Sequence, residues 1–357
     1  MDVMTKRGVG EVALLFGAQL GKTELLLNAI GYFIDAQPAS MLFLMPTLST
    51  AQKFSQKKLA PMIAETPALV GKVKYPRERD SGNTILSKDF LGGSMVIAGS
   101  NSPSSLRQIS TRIVLMDEID AYEMSAGAEG DPCQLAIARA ANFHDALILR
   151  SSTPTIRGAS RIEAAYEDSD QRKWMCPCPK EGCGKRQWLK WKQVRWPEGK
   201  PEDAVYVCEH CQEELNDTQR VQMVMKGEWQ ASKPEARAKG YWLNGLNRIM
   251  GRKKQFKSYL HEFAHNFLEA KKRGREHLKV WTNTFLAETW EESGERIASD
   301  EMIKRCEDYP AKTLPEGVLC LTLGADLQKD RAVLTVLGWG GSASNSAFRE
   351  EVIFITF

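Results

Sequence analysis

The sequence has no apolar run of the roughly 18 residues that a membrane-crossing helix needs. A secretory leader is not expected either. "MDVMTKRGVGEVALLF" sets basic residues before an apolar run, but that run passes straight into Gly17 and Lys22 without a small-residue cleavage site. A strong net charge is missing: +3 over 357 residues argues against a chain that binds polyanions along its whole length. There is no internal repeat and no low-complexity tract. What remains is the composition of a globular protein, 43% hydrophobic and 26% charged, long enough for two or three domains and expected in the cytoplasm.

The charge is unevenly placed. Between Arg252 and Lys279 nine Lys/Arg stand against three Glu. Such a basic surface suits a duplex backbone, and an ordinary solvated helix face is the plain alternative. Cysteine is concentrated too: five of the eight lie between Cys176 and Cys211. Disulfides are not expected in a reducing compartment, so the cluster points to metal. "CEHC" (208–211) is a C-x-x-C knuckle, and "CPCPKEGC" (176–183) offers Cys178 and Cys183 with Cys176 to spare.

Residues 1–165 read as alternating strands and helices. "EVALLFG" (11–17), "MLFLMP" (41–46), "SMVIAGS" (94–100), "RIVLMDE" (112–118) and "DALILRSS" (145–152) are apolar strands. Leu25, Leu26, Ala29, Ile30 and Phe33 give helical spacing after Lys22, and a second helix is expected over 47–64 with Thr47 or Ser49 as its cap. Continuous apolar strands between helices predict a mostly parallel sheet covered on both faces. Residues 216–310 read as mostly amphipathic helix, and strands return from Val318.

Three motifs carry chemistry. "FGAQLGKTE" is one residue short of the common G-x-x-x-x-G-K-[ST] loop, since the glycine is Gly17 and Phe16 stands where the pattern has it. A strand, a glycine turn and a helix N-terminus still gather backbone N–H groups for phosphate. Lys22 would reach the β- and γ-phosphates, and Thr23 would hold Mg²⁺. In "IVLMDEID" (113–120), Asp117 would bind that Mg²⁺ and Glu118 would activate the attacking water. "LILRSSTPT" (147–155) ends a strand in Ser151, Ser152 and Thr153, short hydroxyl side chains suited to sensing a terminal phosphate. Arg107, Arg112 and Arg157 are candidates for the positive charge that a phosphoryl-transfer transition state needs, with Arg107 preferred.

These residues in this order resemble the large terminase subunits of tailed phages, the lambda-like GpA family. "FLMPTLSTAQKFSQKKLAPMI", "NSPSSLRQISTRIVLMDEID", "SSTPTIRGASRIEAAYEDSDQRKW", "GYWLNGL" and "VWTNTFLAETWEESGE" carry the likeness over nearly the whole chain. The resemblance implies an α/β fold of the P-loop NTPase (RecA/ASCE-like) type over 1–170, a zinc ribbon over 171–216, a helical basic linker over 217–312, and the start of an RNase H-like nuclease over 313–357. It implies an ATPase that uses ATP and Mg²⁺ to drive double-stranded DNA into a procapsid. Its partners would be the small subunit, the portal and further copies of itself, and no membrane. Gly17, Gln19 and Gly21 would cradle phosphate in the manner of the family's deviant loop, and Ser151, Ser152 and Thr153 would couple hydrolysis to DNA movement.

The resemblance favours Cys178, Cys183, Cys208 and Cys211 as a structural Zn²⁺ site, with Cys176 or His210 as possible replacements for one ligand. Asp326 matches the first metal-binding carboxylate of the nuclease. The family's other carboxylates are expected beyond Phe357 and its adenine contact upstream of Met1, so both ends read as truncated and this chain alone is not expected to cut DNA. Two alternatives remain at this point: a superfamily 2-like helicase, which needs a second RecA-like domain after residue 165, and an inactive prophage remnant that only binds DNA.

Overall fold

Every side chain from Val12 to Phe16 is buried, and alternate residues of this strand (β1, Glu11–Phe16) point to opposite cores. Val12, Leu14 and Phe16 pack with Leu26, Ile30 and Phe33 of the following helix (α1, Lys22–Asp35), while Ala13 and Leu15 pack with Ala136, Ile162 and Ala165 on the other face. That is why the strand reads as a continuous apolar run rather than as an alternating one. The structure is a computed structural model that describes residues 2–6, 8–73, 83–102, 109–250, 252–292, 313–314, 318–327 and 332–340.

The next strand is β2 (Met41–Met45). Thr47 caps the helix after it, its side chain accepting from the Thr50 amide, and that helix (Leu48–Phe54) runs through a π-helical turn (Ser55–Leu59) into a third segment (Ala60–Glu65). A hairpin of β3 (Ser87–Phe90) and β4 (Gly93–Gly99), then β5 (Ile113–Asp117), a helix over Pro132–Ala138, β6 (Leu147–Ser152) and a helix over Arg161–Glu167 complete the expected alternation. The strands fall within a few residues of their expected positions.

The chain continues through β7 (Arg172–Pro177), β8 (Arg186–Trp188), β9 (Val194–Arg195), β10 (Val205–Val207), β11 (Glu214–Leu215), a helix (Asp217–Met225), β12 (Glu228–Ala231) and β13 (Lys239–Leu243). Among the described residues the large sheet has the order β12-β7-β13-β1-β6-β5-β2-β4-β3, with β8 on β7, and a separate small sheet has the order β11-β10-β9. From β7 through β4 neighbouring strands run parallel, and β12, β8 and β3 are antiparallel additions.

The structure differs from the sequence expectation after residue 170. β13 lies directly beside β1 with Val12 opposite Lys239, so the strand that leads into the glycine loop is flanked by a segment expected to be linker. Two strands thus stand inside the stretch 216–310, which was expected to be mostly helix. Among its described residues, helix Asp217–Met225 is followed by the two sheet strands and then by helices Tyr259–Arg273 and Arg275–Trp281, and a π-helical turn (Thr282–Leu286) follows. Met1–Glu292 forms one compact unit. The second unit, Ser293–Phe357, is described as an antiparallel hairpin of β14 (Val318–Leu327) and β15 (Ala332–Gly340), closed by the pair Leu327 and Ala332. No helix among the described residues is long and apolar enough to cross a membrane.

Candidate functional site

β1 ends at Phe16 and α1 begins at Lys22, so the short loop between them sits at the carboxyl edge of the sheet, flanked by the ends of β13 and β6. Gln19 (φ 56°) and Gly21 (φ 86°) are both left-handed, a conformation that turns successive N–H groups inward. No side chain caps α1, so its first-turn amides stay open to an anion. Lys22 curls back over the loop, its Nζ donating to the carbonyls of Phe16 and Gly17, each at 3.0 Å. Burial pulls its pKa down to about 8, against the opposing pull of Asp117 and Glu118.

Asp117, 3% exposed at the end of β5, is the centre of the site. Thr23 Oγ1 donates to its Oδ2 at 3.4 Å, and Ser151 Oγ donates to its Oδ1 at 2.6 Å. The second contact follows from strand register, since Asp117 and Ser151 are paired across β5 and β6. Burial raises the Asp117 carboxyl pKa, with Ser151 and then Lys22 opposing. The residue after it, Glu118, stands at φ 55° and ψ 46°, left-handed without being glycine. Although the residue as a whole is exposed, burial of its carboxyl and then the charge of Asp117 raise its pKa.

Ser152 and Thr153 adjoin Ser151, but their contacts run elsewhere. Ser152 Oγ donates to the Thr153 carbonyl and accepts from the Asp120 amide at 3.3 Å. Asp120 in turn accepts from Thr155 Oγ1 at 3.0 Å and from the Ile162 amide at 2.8 Å, tying the acidic segment to the end of β6. Of the three arginine candidates, Arg107 lies outside the described residues. Arg112 is at the opposite end of β5, paired with Asp145 at 3.0 Å, so it does not approach the loop at 17–21. Arg157 is exposed and paired with Glu291.

Sequence reasoning missed the turn that closes the site from below. The Ala18 amide donates to the Thr284 carbonyl at 2.7 Å, and a Cβ added at Gly17 would lie 2.8 Å from that same oxygen. Gly17 is thus required by close backbone packing against the π-helical turn. Asn283, in the same turn, donates from Nδ2 to the carbonyls of Pro154 (2.7 Å) and Thr155. One turn therefore holds both the loop after β1 and the end of β6. The hint in the sequence is the polar run Thr282-Asn283-Thr284 between Trp281 and Phe285.

In a separate cluster, the sulfurs of Cys178, Cys183, Cys208 and Cys211 lie within 4.8 Å of one another, with Cys178 and Cys211 at 3.8 Å. Four sulfurs about 2.3 Å from a tetrahedral ion are about 3.8 Å apart, so this donor set fits zinc. Gln187 Nε2 donates to Cys208 Sγ at 3.1 Å. Neither alternative ligand belongs to the group. Cys176 is fully buried with its thiol directed to Asn247 Oδ1 at 3.8 Å, and His210 lies 3.3 Å from the Arg186 carbonyl. Asp326 lies near the end of β14, opposite Val333 in the hairpin.

Residues 1–229 match the family described as phage terminase large subunit gpA, ATPase domain. The chain belongs to the phage terminase large subunit gpA family. Residues 238–353 match that family's endonuclease domain, a match that begins beside β13 within the first compact unit. The chain is 28% identical over 387 residues to the "Terminase, large subunit" of Enterobacteria phage P21, covering 99% of this chain and 57% of that protein. It is 27% identical over 380 residues to the "Terminase, large subunit" of Escherichia phage lambda, with the same coverage. It thus spans a little over half the length of these gpA relatives. Among solved structures, the HK97 bacteriophage large terminase aligns with a TM-score of 0.49 at 13% identity, over 93% of this chain and 57% of that one.

Proposed function

We propose that this chain is the ATP-hydrolysing part of a DNA-packaging motor, with residues 17–23 as a P-loop for ATP and Mg²⁺. The observation that carries this reading is the convergence of Lys22, Thr23, Asp117 and Ser151 at one sheet edge, in a chain of the terminase gpA family. In this reading Gly17, Gln19 and Gly21 shape the loop, Lys22 neutralises the β- and γ-phosphates, and Thr23 and Asp117 would hold a Mg²⁺, which when bound would supply charge stabilisation to the transferred phosphoryl group. Glu118 orients and deprotonates water. Ser151 reports the state of Asp117 to Ser152 and Thr153, and through Asp120 to the helix that begins at Arg161. Arg107 is kept as the transition-state cation.

The substrate would be double-stranded DNA, moved into a procapsid in the host cytoplasm by several copies acting with the portal and small subunit. Cys178, Cys183, Cys208 and Cys211 would hold a structural Zn²⁺ in a ribbon, and Asp326 would supply the first metal ligand of an RNase H-like nuclease. The helicase reading is disfavoured because β7, β12 and β13 extend the first sheet instead of building a second α/β lobe among the described residues.

The deciding measurement is ATP turnover with linear duplex DNA present. The parent should release phosphate, and Lys22→Ala should fall to background while keeping its folded signature. A Lys22→Ala protein that turns over at the parent rate would overturn the proposal.

A further inference from the structure

β1 has two neighbours, β13 on one side and β6 on the other, with β5 beyond β6. Asp117 and Glu118 end β5, so the metal and the reacting γ-phosphate belong on the β6 side of the phosphate loop. A triphosphate laid along the loop must then lead its ribose and base out on the β13 side.

A cavity of about 390 Å³ lies on that side, lined by Gln19, Leu20, Leu243, Asn247, Ile249 and Met250, together with Arg248. Two of these residues belong to the phosphate loop itself and the others to the end of β13 and the turn after it. The Gly17 amide, donating to the Leu243 carbonyl at 2.9 Å, ties the two walls together. The cavity falls within the size range of small-ligand pockets. Its lining suits the faces of a base: four of the residues are aliphatic or Met, and Ile249 (45%) and Met250 (78%) stand large and apolar in water at its mouth.

The outer wall is braced from behind. Arg220, fully buried, donates to the carbonyls of Leu246 and Arg248 and is held by Asp217 at 2.7 Å. Arg248 donates to the Met250 carbonyl at 2.8 Å and lies 5.6 Å from the centre of the Tyr259 ring. A buried ion pair is a weak source of net stability, but it fixes this turn in one conformation.

We infer that this cavity is the nucleoside subsite, taking the base and ribose of the nucleotide whose phosphates lie on residues 17–23. The inference rests on the phosphate-loop reading and deepens it, because the base contact comes from the segment after β13. Recognition is by apolar contact.

The test compares Mg·ADP with inorganic tripolyphosphate, which carries the phosphates without a nucleoside, in direct titrations of the full chain. An Ile249→Ser/Met250→Ser double variant alters exposed side chains only. It should bind ADP about tenfold more weakly and tripolyphosphate within twofold of the parent, and Met250→Leu alone should keep parent ADP affinity. Unchanged ADP affinity in the double variant would overturn the inference, as would an equal loss for both ligands. If the parent binds neither ligand, the phosphate-loop reading itself fails and this subsite goes with it.

Discussion

Ser151 donates its hydroxyl to Asp117 at 2.6 Å, from the strand that pairs with Asp117 in register. A hydrogen bond to a charged group is worth about 1.5–3 kcal/mol, and when Ser151 is removed Asp117 keeps only Thr23 and the Glu118 amide as donors. Ser151→Ala should lower stability by that order, seen as an earlier denaturant midpoint. It should also raise the Mg²⁺ concentration needed for half-maximal ATP turnover several-fold, because an unsupported Asp117 holds a proton more readily. Ser151→Thr keeps the hydroxyl and should restore most of both. A Mg²⁺ dependence identical in Ser151→Ala and the parent would show that the contact plays no part in the site.

The pH dependence has a definite sign on each side. In the proposed mechanism Glu118 has to be ionised to accept a proton from water, and burial and Asp117 raise its pKa, so kcat/KM should climb with pH through a titration above the ordinary glutamate range. Lys22 must be charged to hold phosphate, and burial lowers its pKa to about 8, so kcat/KM should fall above about pH 8. Folding is linked the other way. Between pH 8 and the usual lysine value near 10.4, the unfolded chain binds a proton that the folded chain does not. Lys22 therefore makes the fold gain stability as pH rises through that window. The same alkaline limb in turnover and in ADP titrations would support the assignment, and a limb only above pH 10 would remove it.

Gly17 and Gly21 should fail for different reasons. A Cβ at Gly17 would meet the Thr284 carbonyl at 2.8 Å, so Gly17→Ala must push the 282–286 turn away, costing about 1–3 kcal/mol. At Gly21 nothing lies within 4 Å of an added Cβ, but φ is +86°, and a non-glycine residue there costs roughly 1–2 kcal/mol. Hydrogen exchange separates the two. Only Gly17→Ala should speed exchange at the Ala18 amide and around Asn283, which donates to the carbonyls after β6.

Zinc predicts one ion per purified chain by elemental analysis. A strong chelator should remove it together with the folded signature of residues 174–215, because metal binding there is folding free energy. Trp174, Trp188, Trp191 and Trp196 pack against other aromatic rings, so their fluorescence reports the loss. Cys208→Ser should reproduce it, and Cys176→Ser should retain the zinc. A chain that folds equally well without metal would count against a structural site.

The sequence by itself determined the strand–loop–helix order around Lys22, the carboxylates at the end of β5 and the cysteine knuckles, because local apolar periodicity and short spacings set them. The two strands inside 216–310 were not legible for a related reason: β12 and β13 are short strands whose identity comes from the neighbours they meet, and Val12 opposite Lys239 is a pairing that no local pattern encodes. Only the tertiary structure decided that β13 flanks the loop at 17–21, that Arg112 lies at the other end of β5, and that Gly17 is needed for contact with Thr284. Each of these depends on chain segments distant in sequence meeting at one sheet edge, where backbone hydrogen bonds and close packing fix the arrangement.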